Sequence, residues 1–321
     1  MRAVAAPASL KGVLSPIEAA AALALGLRRI DGLDVVELPV ADGGEGTASV
    51  LHAALGGRWR TSLVHDPRGR PIDALWLVLD DRTAVIESAA ALGLPLLTAD
   101  ERDPLTATTH GFGELLLAAL AEQPSSLLIC LGGTATVDGG IGMRTVASSR
   151  LRDVPMRVAC DVRNPLLGAR GAARAFGPQK GADAATVEEL ERRLASLDEL
   201  TPFRDLPGAG AGGGLGAALA SLGAELVPGA ELVLDLLRFD EHVQGADLVI
   251  TGEGTVDAST LEGKAPGAVR RRCASLGVRC ELFGGVVAPG FEARALSGRP
   301  EHAGEDLARL GEELGRSLGA S

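Results

Sequence analysis

Short apolar runs that stop at a glycine-bearing loop and continue into a helical pattern recur along this chain, and that grammar builds a parallel sheet crossed by helices. The first instance, "RAVAAPASLKGVLSPIEAAAALALGLRR", reads as a strand over 2 to 6, a loop, and a helix opened by Ser15, Pro16 and Glu18. Serine followed three residues later by glutamate forms a capping box, and proline at the first helical position gives up no helical hydrogen bond. "DVVELPV" then runs into "ADGGEGTASVLHAAL", a second strand, loop and helix. The pattern returns after the helix "GELLLAALAEQ" with the strand in "SSLLICLGG" at 125–133. It returns again with "ADLVITGEG", a strand entering a loop, followed by helix and strand through about residue 283.

Between these stretches the rhythm changes. "RWRTSLVHD", "PIDALWLVLD" and "RTAVIES" are separated by turn residues and read as an antiparallel meander over 58–88. Val187, Leu190, Leu194 and Leu197 share one helical face, with Thr186 and Glu189 as a capping box. "PGAGAGGGLGAALASLG" at 207–223 is too glycine-dense to begin as a helix, though its second half suits one. Leu307, Leu310, Leu314 and Leu318 mark an amphipathic helix that docks on something.

At 321 residues the chain exceeds what one core serves, so two domains are expected. The expected class is α/β: one doubly wound parallel sheet of flavodoxin or Rossmann type over 1–57 plus 240–321, and a second, smaller mixed α/β domain over 58–239. Aromatics make up 2% of the residues with no tyrosine, so the core must be built from Ala, Val, Leu and Ile. A net charge of -11, with no basic aromatic window, argues against nucleic acid and for a small-molecule partner. Four cysteines without CxxC spacing read as reduced, buried thiols of a cytoplasmic protein, and the five histidines have no zinc-site spacing. No apolar run reaches the ~18 residues of a membrane helix.

Three acidic, glycine-rich loops follow expected strands: "ADGGEGT" at 41–47, "TVDGGIGM" at 136–143 and "TGEGTVD" at 251–257. Glycine lets backbone N–H groups approach an anion, and the following helix adds its positive end, so phosphate is a natural guest. Aspartate there would repel bare phosphate unless Mg²⁺ intervenes or the acid meets a hydroxyl. Acid plus glycine therefore suggests a metal-bound nucleotide or a polyol beside it, against the plainer reading of ordinary strand-to-helix turns. Lysine usage is a separate clue: of 31 basic residues only Lys11, Lys180 and Lys264 are lysine, each beside a glycine. A compact ammonium enters a phosphate loop where a guanidinium fork does not fit.

Taken together, these motifs resemble the bacterial type I glycerate kinase family. The resemblance is carried by "APASLKGVLS", "PVADGGEGT", "GGTATVDGGIGM", "ACDVRNPLLGARGAARAFGPQKGA", "PGAGAGGGLGAAL" and "DLVITGEGTVDASTLEGKAPGAV", six ordered stretches across most of the chain. Departures are Ala8 for Asp or Asn, Val137 for Asn, Thr255 and Ser259 for frequent Arg and Gln, and a short segment between Met143 and Cys160.

The resemblance implies phosphorylation of D-glycerate from ATP with Mg²⁺, at the 2-hydroxyl for bacterial members. A monomer or homodimer is expected, with neither nucleic acid nor membrane as a partner. The implied catalytic residues are Asp42, Lys11, Asp138 and Lys264, with Asp42 accepting or orienting the hydroxyl proton. Substrate and nucleotide contacts are implied for Gly43, Gly44, Glu45, Gly132, Gly133, Thr134, Gly139, Gly140, Asp161, Asn164, Lys180, Gly212, Gly213 and Gly214. Asp138, Glu253 and Asp257 are the implied Mg²⁺ ligands. Ala8 and Val137 leave two alternatives open: a kinase for another small hydroxy acid, or an impaired homologue that only binds.

Overall fold

A computed structural model describes residues 1–319, which form two units. The first holds Met1–Asp42, Ser49–Ala54 and the chain from Ala230 onward; the second holds Gly43–Ala48 and Leu55–Gly229.

Strands are numbered along the chain. In the first unit, β1 (Arg2–Ala5), β2 (Asp34–Glu37), β9 (Leu248–Val256), β10 (Cys280–Val287) and β11 (Arg294–Ala295) form a sheet in the order β11-β10-β9-β1-β2. Every pairing is parallel. Ala3, Ala5, Leu248, Ile250 and Phe283 alternate onto one face and pack with Leu23, Leu27, Leu307, Leu310 and Leu314. The helix Pro16–Leu27 has both halves of its expected capping box, with Ser15 and Glu18 bonded reciprocally. It packs against the tail helix Ala303–Leu318, whose leucine face is buried. A Cβ on Gly26 would lie 1.8 Å from the Ala308 carbonyl oxygen, so the two helices touch at a place only glycine permits. Val4, Val249 and Leu282 bury the opposite sheet face, and helix Ala265–Leu276 packs on β9 and β10.

In the second unit, β3 (Arg58–His65), β4 (Pro71–Val78) and β5 (Thr83–Glu87) make the expected antiparallel meander. The sheet continues in parallel through β6 (Ser126–Cys130), β7 (Met156–Cys160) and β8 (Glu225–Pro228), in the order β3-β4-β5-β6-β7-β8. A large apolar core built around Phe112, Leu115, Leu116, Ile129, Leu215 and Leu219 joins the sheet to its helices.

Two local expectations shift. The helix that carries Val187, Leu190 and Leu194 begins at Ala184, not at a box of Thr186 and Glu189: Asp183 is its cap and accepts the Thr186 N–H at 2.7 Å. "TGEG" is not a loop, because β9 continues through it to Val256, paired with β10 as far as Val287. Gly252 allows this by leaving room for Phe283, whose carbonyl oxygen would be 2.3 Å from a Cβ there.

Candidate functional site

Ligands of open α/β sheets bind beyond the carboxyl ends of the parallel strands, and the motif residues of both units lie on such connections. In the first unit, the turn after β1 carries Lys11, which is exposed, and the segment after β2 leads to Asp42, which is half-buried. Gly254 of β9 faces that first turn, since a Cβ there would lie 3.4 Å from the Lys11 backbone nitrogen.

Glu253, 9% exposed, is the hub of this unit's polar cluster. Its Oε2 accepts the Lys264 ammonium at 3.0 Å and its Oε1 accepts the Thr260 hydroxyl at 2.7 Å. Thr260 Oγ1 in turn accepts the Asp257 N–H at 3.0 Å. The Asp257 carboxylate caps the helix Ala258–Glu262 through the Ser259 hydroxyl and N–H, and these bonds hold its pKa below the usual carboxylate range. Lys264 is the N-cap of helix Ala265–Leu276 and remains partly exposed.

In the second unit, the loops at 43–47 and 132–140 are tied together. A Cβ on Gly132 would lie 3.2 Å from Gly44 Cα, and the Glu45 carboxylate lies 3.7 Å from the corresponding position on Gly133. Gly43 takes φ +88°, and a Cβ on it would come within 2.7 Å of Gly229 Cα and 2.8 Å of Ala159 Cβ. The glycines at 212–214 form a left-handed turn at the start of helix Ala211–Ser221. Gly213 there packs on the second loop, where a Cβ would fall 2.0 Å from the Thr136 carbonyl oxygen. Gly139 donates its N–H to the Gly213 carbonyl at 3.0 Å.

Asp138 is held by four donors. Its Oδ1 accepts the Gly140 N–H at 3.0 Å, and its Oδ2 accepts the Thr109 N–H, the Thr109 hydroxyl and the Gly142 N–H at 2.8–3.2 Å. It thereby joins the start of helix His110–Ala121, whose N-cap is Thr109, to that of helix Ile141–Leu151. Lys180 is buried, and its ammonium donates to Thr134 Oγ1 at 3.0 Å and to the Thr136 carbonyl at 2.8 Å. Burial pushes its pKa down to about 7, against the pull of the Asp138 charge. Asp161 and Asn164 follow β7; both are half-buried, and Asn164 donates to the Arg170 carbonyl at 2.6 Å.

The three expected Mg²⁺ ligands are each described within their own unit. Asp138 belongs to the second unit and Glu253 and Asp257 to the first, and Asp138 and Glu253 have both oxygens engaged. Among the described residues no group of three or more His, Cys, Asp or Glu is arranged to hold a metal. The glycine loops approach closely, and the buried hydroxyls of Thr47 and Thr136 have no hydrogen-bond partner among the described residues. Val137 is 2% exposed and part of the second unit's core, so this departure from the family motif is a core exchange. Ala8 is half-buried, with its N–H on the Gly252 carbonyl at 2.9 Å.

Sequence reasoning missed Glu87, Ser88, Thr109 and Thr260, the residues that hold these loops. Ser88 Oγ donates to the Gly132 carbonyl and accepts the Gly132 N–H, both at 3.2 Å. The available signal was an acid and a serine directly after the apolar run "TAVI". Cys130, Cys160 and Cys273 are buried and Cys280 is half-buried, and burial raises the Cys160 thiol to about 12. No helix among the described residues is long and apolar enough to cross a membrane.

Comparison with known proteins points one way. The model of the glycerate kinase family matches residues 3–147 and 144–300. Glycerate 2-kinase of Escherichia coli (strain K12) is 43% identical over 305 residues, covering 83% of this chain and 80% of that protein. Glycerate kinase of Bacillus subtilis (strain 168) is 43% identical over 317 residues, covering 87% and 83%. A crystal structure from Salmonella typhimurium LT2, provisionally described as glycerate kinase 2, superposes with a TM-score of 0.87 at 34% identity, covering 100% of this chain and 98% of that one.

Proposed function

The chain belongs to the glycerate kinase family and is a kinase, and from that premise we propose that it transfers the γ-phosphoryl group of ATP to the 2-hydroxyl of D-glycerate in the cytoplasm. The observation that carries this reading is the segment from Asp42 to Thr47: a half-buried carboxylate followed directly by glycines that enter the N-terminus of helix Thr47–Leu55. Phosphoryl transfer needs little covalent help from a protein and depends on positioning and charge neutralisation. Asp42 orients the glycerate hydroxyl and accepts its proton as the new P–O bond forms and ADP departs. Lys11 and Lys264 supply positive charge to the glycerate carboxylate and the moving phosphoryl group. In the second unit, the loops at 132–140 and 212–214 are the nucleotide candidates, through backbone N–H groups not already bonded within the protein, as those of Gly132, Gly139, Gly140 and Gly214 are.

Magnesium, when bound, neutralises phosphate charge. It needs only one or two carboxylates beside the phosphates, and Glu45, exposed on the 43–47 loop, would supply one of them. Asp138 and Lys180 serve the loops instead, through the bonds already described.

Ala8 favours a second reading, in which the acceptor is a different small hydroxy acid, because it stands half-buried where the family motif has a polar side chain. Phosphorus NMR of the product from Mg-ATP and D-glycerate tests both. The expected product carries phosphate on the C2 oxygen; a C3 phosphate overturns the regiochemistry, and turnover only with another hydroxy acid selects the second reading. Asp42→Asn is expected to lower kcat at least ~10²-fold, and near-normal turnover removes Asp42 from proton transfer.

A further inference from the structure

Two glycine loops that touch must be held in register by something other than glycine. β5 ends at Glu87, and the next residue is Ser88; in the parallel pairing Glu87 lies opposite Cys130, just ahead of the second loop. The Glu87 carboxylate reaches the first loop, accepting the Ala48 N–H at 2.7 Å and also the Gly46 N–H. Ser88, fully buried, reaches the second loop, where its hydroxyl brackets both the N–H and the carbonyl of Gly132. Gly132 is the residue that abuts Gly44 of the first loop. One dipeptide therefore grips both sides of the place where the loops meet.

We propose that Glu87 and Ser88 are a pair of positioning residues that fix the 43–47 and 132–133 loops in the mutual register that phosphoryl transfer requires. This rests on the proposed kinase reading of those loops. Two neutral acceptors would satisfy the Gly46 and Ala48 N–H groups as far as folding is concerned. A carboxylate is an expensive choice there, because it is largely desolvated and faces the charge of Glu45, and both effects raise its pKa. A raised folded-state pKa means that ionised Glu87 opposes folding, by an amount that grows as pH rises from the ordinary carboxylate pKa to the raised one and is constant above it. Retaining an acid that opposes folding is what a functional constraint on the loop looks like.

Glu87→Gln separates the two roles. It keeps an acceptor in the same shape but removes the charge that orders the helix N-terminus. The expected result is kcat lowered about tenfold or more through loop misplacement, with KM values little changed. The melting temperature at pH 8 is expected to equal or exceed that of the unsubstituted protein, with any gain fading by pH 4. Ser88→Ala is expected to lower kcat as well, with Ser88→Thr restoring part of the loss. The proposal is overturned if Glu87→Gln keeps kcat within twofold, or if its activity falls only in step with a lowered melting temperature. Inactivity of the unsubstituted protein toward every hydroxy acid would instead defeat the kinase reading, and is measured first for that reason.

Discussion

Each unit places an acid near a lysine at the end of its parallel strands, and the two clusters use that combination in opposite ways. In the first unit Lys264 stays partly exposed and bonds directly to Glu253, while Thr260 takes the other carboxylate oxygen. In the second unit Lys180 is buried on a hydroxyl and a carbonyl, and Asp138 is saturated by backbone and hydroxyl donors. The first arrangement leaves an ammonium at the surface, available to a ligand. The second turns both side chains inward to brace a loop. Matching residue types at matching glycine-rich sequences thus divide into a group that can meet substrate and a group that holds the loop others use.

The largest effect that tests this division is expected from Asp138→Ala. It strips three backbone N–H groups and the Thr109 hydroxyl of their acceptor, which should cost about 3 kcal/mol or more of unfolding free energy. Urea unfolding of the variant measures it, and a loss under about 1 kcal/mol would deny Asp138 its bracing role.

At pH 7 Lys180→Met is expected to be smaller in size, and it is distinctive in its pH dependence. Because the folded protein holds this lysine at about 7, the unfolded chain binds the extra proton above that pH, and the unsubstituted protein gains stability as pH rises from 7 toward 10. The gain is at most about 1.4 kcal/mol per pH unit. The stability gap between the unsubstituted protein and the variant should therefore widen with pH in denaturant titrations, and a constant gap would mean that the lysine is not held neutral. Glu253→Gln should have the smallest effect, about 1 kcal/mol, diminishing in high salt because its partner Lys264 is partly exposed. A salt-independent loss larger than that at Asp138 would erase the contrast between the clusters.

Local chemistry made much of the fold legible. The Ser15–Glu18 box, the meander over 58–88 and the leucine face of the tail each follow from short-range patterns that tertiary structure had no reason to override. The cap at Asp183 was missed because Thr186 and Glu189 satisfy the same spacing, and only the backbone donor pattern distinguishes them. The extended "TGEG" segment was hidden because its glycines suit a turn equally well; pairing with β10 decided the matter. At the candidate site the acids, lysines and glycine loops could be picked from sequence, but not which of them face inward. The bracing of Asp138 by Thr109 spans 29 residues and that of Gly132 by Ser88 spans 44, distances over which a single sequence carries no pairing signal.

The most direct measurement is ADP release by the purified protein with Mg-ATP, compared across D-glycerate, L-glycerate and no acceptor. The account predicts turnover that requires D-glycerate. Equal release in all three, or none from protein shown to be folded, would contradict it.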